Sequence, residues 1–357
     1  MSEPAGGQAP RDAALVSSAS FPPASPLAAA LSLLTIGACC LLLMQLDVPL
    51  LRFLRSLDLS SIQRAGDLGE KVGNGASLVA VSLCLLGFGW IARRKPWTQA
   101  GIESLLAHGC VGLLVNGLKH LIGRPRPRLT HSGEWQWWPS WESGLDSFPS
   151  GHTSATFAVV TVLARHWPRA AWVGYGLATW VAMSRVWRGS HFATDVVAGM
   201  VAGSVVGTIF ASPLREWRET LLRAIVHVTP IAVIVTSTLW VVLHRVGNIW
   251  VDRVLSLTGL ALLAAGLAIR LRTGRSARPT SGPAAYRVGI GLVGLGLSFM
   301  TGSLILVTLA GLALSAWWVH AQTPLPSTRP AAGGLYAAAI LLAALLIFEL
   351  KGIVPIR

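Results

Sequence analysis

Long apolar runs alternate with short polar connections along this chain. Apolar runs fall at about 26–46, 76–92, 99–122, 152–167, 170–186 and 192–212. After the polar break "SPLREWRETLLR", others follow at about 224–243, 254–270, 288–318 and 333–353. A helix needs roughly 20 apolar residues to cross a bilayer. The pattern predicts an all-α, polytopic membrane protein with a six-helix core followed by about four further transmembrane helices. The 288–318 run is long for one span. It reads either as a tilted span with an extension or as two short pieces. After the first run, "LLRFLRSLDLSSIQRAGDLGEKVGNG" spaces Leu and Phe at helical period among charges. That pattern predicts an interfacial amphipathic helix closed by a Gly-rich turn. Residues 1–25 are rich in Ala, Pro, Ser and Gly and lack the basic start and apolar middle of a signal peptide. They are expected to form a disordered cytoplasmic tail. The expected organisation is tail 1–25, core domain 26–222 and C-terminal transmembrane region 223–357.

Composition agrees with the pattern. The chain is 53% hydrophobic and only 12% charged, against about 25% charged in soluble domains. Its mean hydropathy is +0.59. The net charge of +14 comes mostly from arginines in short loops. It is read as a topology signal with affinity for anionic headgroups, not as a nucleic-acid surface. Cys39, Cys40, Cys84 and Cys110 lie inside apolar runs as small hydrophobes, with neither a disulfide framework nor metal-ligand spacing.

Charge also orients the chain. "ARRKPW", "RHWPR", "REWRETLLR" and "RLRTGRSARPTSGPAAYR" alternate along the spans, and the positive-inside rule places them in the cytoplasm with both termini. The connection from "GRPRPRL" to "FPSGH" then faces outward, although Arg124, Arg126 and Arg128 make it basic too. A functional need for cations there explains the exception. Trp135, Trp137, Trp138 and Trp141 in that connection read as headgroup-level anchors, with substrate stacking as the alternative.

Three polar stretches fall on that outward side: "KHLIGRPRP", "PSGH" and "SRVWRGSHFATD". Lys119, Arg126 and Arg185 supply cations. Arginine's planar fork suits phosphate oxygens, and lysine adds a point charge. Ser150, Gly151 and His152 open an apolar run, so free N–H groups and the positive end of a helix dipole form an anion site. Gly151 lets the backbone approach closely. His191 and Asp195, four apart, share a helix face, where the carboxylate can bond one ring nitrogen and fix the tautomer. One of the two histidines can attack phosphorus while the other protonates the leaving oxygen, with cations around the equatorial oxygens. No Asp/Glu cluster accompanies these residues, so the expected mechanism needs no metal and no cofactor. For any one stretch, snorkelling or capping residues at helix ends would be an equal explanation.

Together the stretches resemble the signature of the type 2 phosphatidic acid phosphatase superfamily. That signature reads K-x6-R-P, then P-S-G-H, then S-R-x5-H-x3-D, and every defining position matches over about residues 26–212. The resemblance implies His191 as a nucleophile forming a phosphohistidine, with Asp195 as its orienter. His152 would protonate the leaving group and later help to activate water. Lys119, Arg126, Arg185, Ser150 and the Gly151 backbone would hold the phosphate.

The expected activity is hydrolysis of a lipid phosphate or pyrophosphate at the outer face of a bacterial inner membrane. Undecaprenyl pyrophosphate is the favoured substrate, with phosphatidic acid and phosphatidylglycerol phosphate open. A lipid phosphotransferase using the same intermediate is one alternative. A lipid-binding or transport protein with a coupled phosphatase module is another. The expected partners are the lipid substrate and membrane lipids. The Gly-rich run 289–303 suits close helix packing or a homodimer. His108 and His120 read as packing or interfacial residues, and Arg188 as solvated or touching a headgroup.

Overall fold

The computed structural model describes residues 26–56, 60–130, 138–243, 249–275, 282–301 and 310. Ten α-helices lie among them: α1 (Pro26–Ser56), α2 (Ser60–Val72), α3 (Gly75–Ile91), α4 (Lys95–Ile122), α5 (Gly151–His166), α6 (Ala171–Trp187), α7 (Ala193–Phe210), α8 (Trp217–Leu243), α9 (Ile249–Arg275) and α10 (Gly282–Met300). Each apolar run among the described residues is helical, giving an all-α polytopic membrane protein. The second half of the 288–318 run (residue 310 apart), the 333–353 run and residues 1–25 lie outside the described residues.

By length and composition α1, α4, α7 and α8 suffice to cross a membrane. The pair α2 and α3, bent by 51° at the Gly73–Asn74 break, adds a fifth candidate. The sequence-based count of six core spans includes α3, α5 and α6, which have 17, 16 and 17 residues. At 1.5 Å per residue they reach roughly 24–26 Å, short of a hydrocarbon core of about 30 Å. Polar residues end them early. Asn74 caps α3 through its side chain to the Ala76 N–H, and the polar stretch around His191 closes α6.

The amphipathic segment divides differently from the expectation. Residues 51–56 continue α1, and only Ser60–Val72 forms the separate helix. Gly66 and Gly69 of α2, with Gly73 just after it, face Arg188 at the cap of α6 and Ser184 and Val181 within it at close range. This docks α2 across the end of α6.

Helices α4 to α7 run alternately up and down, so the end of α4, the start of α5, the end of α6 and the start of α7 share one end of the bundle. At the other end, His166 of α5 lies 2.8 Å from Glu103 of α4, and the Trp97 ring meets Phe88 and Trp167 at 4.9 and 4.8 Å. Helices α5 and α7 approach each other closely. Gly199, Gly203 and Gly207 recur every four residues on α7, where a Cβ would fall on the backbone carbonyls of Ser150, Ser154 and Ala158. Helix α8 packs along α1 and α7, burying Leu43, Leu46 and Val197 against Leu239 and Trp240. It runs unbroken through 222–223, where the core was expected to give way to the C-terminal region. Helix α10 packs on α9 and α8.

Candidate active site

The shared end of the bundle collects all three polar stretches. Gly123, at φ 63°, takes the left-handed conformation that stops α4, and its N–H donates to the Lys119 carbonyl at 3.0 Å. This puts Lys119 in the last turn of α4. Ser150 opens α5 without a side-chain cap bond, so the first-turn N–H groups are not capped by its hydroxyl. The Ser150 N–H donates to the Asp195 carbonyl at 2.9 Å, tying the start of α5 to that of α7. A Cβ on Gly151 would stand 3.9 Å from the Lys119 Nζ. His152 interacts electrostatically with Arg185, His191, Lys119 and Arg126. The five charged or basic side chains singled out in the sequence therefore converge on the start of α5.

After α6, Gly189 at φ 61° turns the chain back, and the Ser190 and His191 N–H groups donate to the Arg185 carbonyl at 3.0 and 3.2 Å. His191 is thereby buried, 3% exposed. Its Nδ1 lies 2.8 Å from the Ser147 carbonyl but 3.6 Å from Asp195 Oδ2. The orienting hydrogen bond expected from Asp195 is thus made by a backbone carbonyl, with the carboxylate just beyond bonding distance. A carbonyl only accepts, so Nδ1 carries the proton and Nε2 presents its lone pair. Burial holds the His191 pKa below the usual imidazole value of 6.5, while Asp195 pulls the other way. Asp195 is wholly buried. It accepts from the Ser147 hydroxyl at 2.6 Å, the Phe192 N–H at 2.9 Å and Arg124 Nη1 at 2.5 Å.

Among the buried polar atoms of the described residues that lack a hydrogen-bond partner are Nε and Nη1 of Arg185, and Nε2 of His152. Arg185 is 3% exposed, and its remaining nitrogen Nη2 reaches Glu70 of α2 only at 3.7 Å. Buried unsatisfied donors on a cation are expensive, and an anion between them would satisfy them. The other two expected anion-holders are occupied. Asp146 accepts from Arg126 Nε and Nη2 at 2.8 and 2.6 Å and stands 3.5 Å from Lys119 Nζ. Burial would raise the Asp146 carboxyl, but the Arg126 hydrogen bonds and the two cationic charges outweigh it and hold it at about 2.

Several residues here had no place in the sequence reading: Asp47, Arg124, Asp146, Ser147 and Glu70. Asp47 did carry a signal, being a carboxylate at the edge of an apolar run. Arg124 was legible only as loop charge, yet it is 1% exposed. Asp146 and Ser147 act through contacts 20 or more residues away and leave no local pattern. Arg188 is exposed, in keeping with the solvated reading, and it pairs at the surface with Asp67 and, at 2.7 Å, with Glu70. His120 stacks on Trp141 at 4.1 Å, in keeping with a packing role. Trp138 and Trp141 are 79% and 82% exposed, as interface anchors require. Trp135 and Trp137 lie outside the described residues.

Comparison with known proteins points to the same chemistry. The family model of the PAP2 superfamily matches residues 100–219. The chain is 31% identical over 151 residues to a lipid A 1-phosphatase of Porphyromonas gingivalis, covering 41% of this chain but 31% of that protein. It is 31% identical over 185 residues to a lipid A 1-phosphatase of Rhizobium etli, covering 48% of this chain and 78% of that one. It is also 31% identical to an undecaprenyl-diphosphatase of Bacillus subtilis, over 41% of this chain and 76% of the relative. No solved structure matches. With the three stretches in place and most of two relatives' length aligned, the chain belongs to the PAP2 superfamily.

Proposed function

We propose that this chain is an integral-membrane phosphatase that hydrolyses a lipid phosphate or pyrophosphate through a phosphohistidine on His191. The observation that carries the reading is the Arg185 guanidinium, buried with two donor nitrogens unpartnered beside two histidines. A phosphate oxygen supplies the acceptor those nitrogens lack, and the first-turn N–H groups of α5 supply further donors.

The reaction proceeds in two balanced steps. His191 Nε2 gives its lone pair to phosphorus, and the bond from phosphorus to the leaving oxygen breaks. That oxygen keeps the bonding electrons and takes a proton from His152 Nε2. A water oxygen then attacks the phosphorus and loses its proton to His152. The N–P bond breaks, releasing phosphate and neutral His191. Arg185, Lys119, Arg126 and the Ser150–Gly151 backbone stabilise the charge on the equatorial oxygens, with no metal required.

A site at the membrane end of an apolar bundle suits a substrate with a charged head and a lipid tail. Undecaprenyl pyrophosphate remains the favoured substrate, with lipid A 1-phosphate, phosphatidic acid and phosphatidylglycerol phosphate as the competing headgroups. The site faces the periplasm of a bacterial inner membrane, with both termini cytoplasmic.

The test is phosphate release by the purified full chain across those four lipids, with EDTA present and His191→Ala alongside. Release that persists in EDTA and falls by a factor of about 10³ or more in His191→Ala supports the reading. Release abolished by EDTA, or retained by His191→Ala, overturns it. A phosphorylated lipid acceptor in place of free phosphate would make the chain a phosphotransferase.

A further inference from the structure

Asp47 of α1 joins the site from a distance of 147 residues in sequence. Its Oδ1 accepts from the Thr194 N–H at 3.0 Å, and its Oδ2 from the Thr194 hydroxyl and from Arg124 Nη2, both at 2.7 Å. Arg124 passes the contact on, donating through Nη1 to Asp195 Oδ1 at 2.5 Å while lying 4.2 Å over the Phe192 ring. The side chains of Asp47, Arg124 and Asp195 are 1%, 1% and 0% exposed, so water screens none of these charges.

The charge balance of this cluster is its chemical content. Arg124 alone would neutralise Asp195. With Asp47 ionised, the form favoured by the three hydrogen bonds it accepts, the cluster keeps one negative charge in excess, beside Nδ1 of His191. Attack on phosphorus leaves that ring bonded at Nε2 and still protonated at Nδ1, so it becomes a cation. The other charged or titratable groups around it are mostly basic: Lys119 from α4, His152 from α5, Arg185 from α6 and Arg126 from the α4–α5 connection. Two acidic groups nearby are committed elsewhere, Asp146 to Lys119 and Arg126, and Glu70 to Arg188 and Arg185.

We propose that Asp47 is a positioning residue for the reaction: acting through Arg124, it leaves Asp195 a full counter-charge for the cation formed on His191. This inference rests on the phosphohistidine reading. A purely structural Asp47 would cap the α7 N-terminus through Thr194 and have no effect on the charge state of His191.

The experiment compares the full-length wild type with Asp47→Asn, Asp47→Glu and the double variant Asp47→Asn/Arg124→Gln in detergent micelles. Turnover of farnesyl pyrophosphate and dioctanoyl phosphatidic acid is followed against pH. Side-chain ¹⁵N-histidine NMR follows the titration midpoint of His191, assigned with His191→Gln. Asp47→Asn is expected to lower kcat about tenfold or more with KM little changed. It should also move both the acid limb and the His191 midpoint down by roughly one pH unit, because the imidazolium loses a counter-charge. The double variant restores the single excess negative charge and should bring the midpoint back towards wild type. Asp47→Glu keeps the charge and should keep the wild-type midpoint. An unmoved midpoint in Asp47→Asn, a double variant further from wild type than the single one, or a shifted Asp47→Glu overturns the proposal. A wild type that releases no phosphate from either lipid sinks the phosphatase reading instead, while the NMR midpoint still reports on the charge of Asp47.

Discussion

Asp146 occupies two of the cations that a phosphate would need. Its carboxylate bridges Arg126 and Lys119. An arriving phosphate must therefore displace it or share its partners. Asp146→Asn removes the competing charge and should tighten product inhibition by inorganic phosphate by about fivefold, the worth of a partly exposed ion pair. Weaker inhibition would mean that Asp146 serves to hold the cations in place. The same carboxyl gives a signed pH dependence to stability. Its folded pKa of about 2 lies below the ordinary 3.8. Its contribution is complete above about pH 4 and is lost as pH falls through about 2. The melting temperature of Asp146→Asn should accordingly converge on that of wild type as acid is added across that window. His191 sets a second limb. Its pKa is held below 6.5 by burial, so the ring stays neutral into mild acid. The acid limb of kcat/KM should lie below pH 6.5, and a limb above that value would remove His191 from the nucleophile's role.

The α5–α7 pair shows how helix packing builds the site. Asp195 and His152 open two helices whose backbones meet at Gly199, Gly203 and Gly207. A side chain at Gly203 would strike the Ser154 carbonyl and the Phe157 Cβ, so Gly203→Val should destabilise the protein by about 1–3 kcal/mol and reduce turnover with it. Gly176 of α6 has nothing within 4 Å of its Cβ position. There Ala should be neutral or stabilising by up to about 1 kcal/mol. A melting comparison in one detergent checks both. The periodic pattern of apolar positions was enough to place the helices, since a run of that length in lipid has one economical conformation. It also carried the short lengths of α3, α5 and α6, because the runs 76–92, 152–167 and 170–186 match those helices to within one residue at each end.

Across the whole molecule, α8 belongs with the core. Its partly buried Leu239 and Trp240 cover Leu43, Leu46 and Val197. Two of those residues lie within one turn or so of Asp47, so α8 supports the helix that brings Asp47 to the site. A chain ending at 213 should lose both expression and turnover, whereas one ending at 243 should keep turnover. Equal activity of the two would make α8 dispensable. Four to five helices long and apolar enough to cross a membrane lie among the described residues, with α9 and α10 contributing shorter apolar segments.

By itself the sequence determined the chemistry that is local in the chain. The apolar runs dictated helices, and the three polar stretches named Lys119, Arg126, Ser150, Gly151, His152, Arg185, His191 and Asp195 at helix ends that alternate to one side. These follow from spacing, which the chain carries openly. Only the tertiary structure decided who partners whom: Ser147 rather than Asp195 bonds His191, Asp146 covers Lys119 and Arg126, and Asp47 reaches Asp195 through Arg124. Those are contacts between residues distant in sequence, set by how closely the helices can approach. The glycines of α7 and the left-handed turns at Gly123 and Gly189 govern that approach, and their consequences appear only once the bundle is packed.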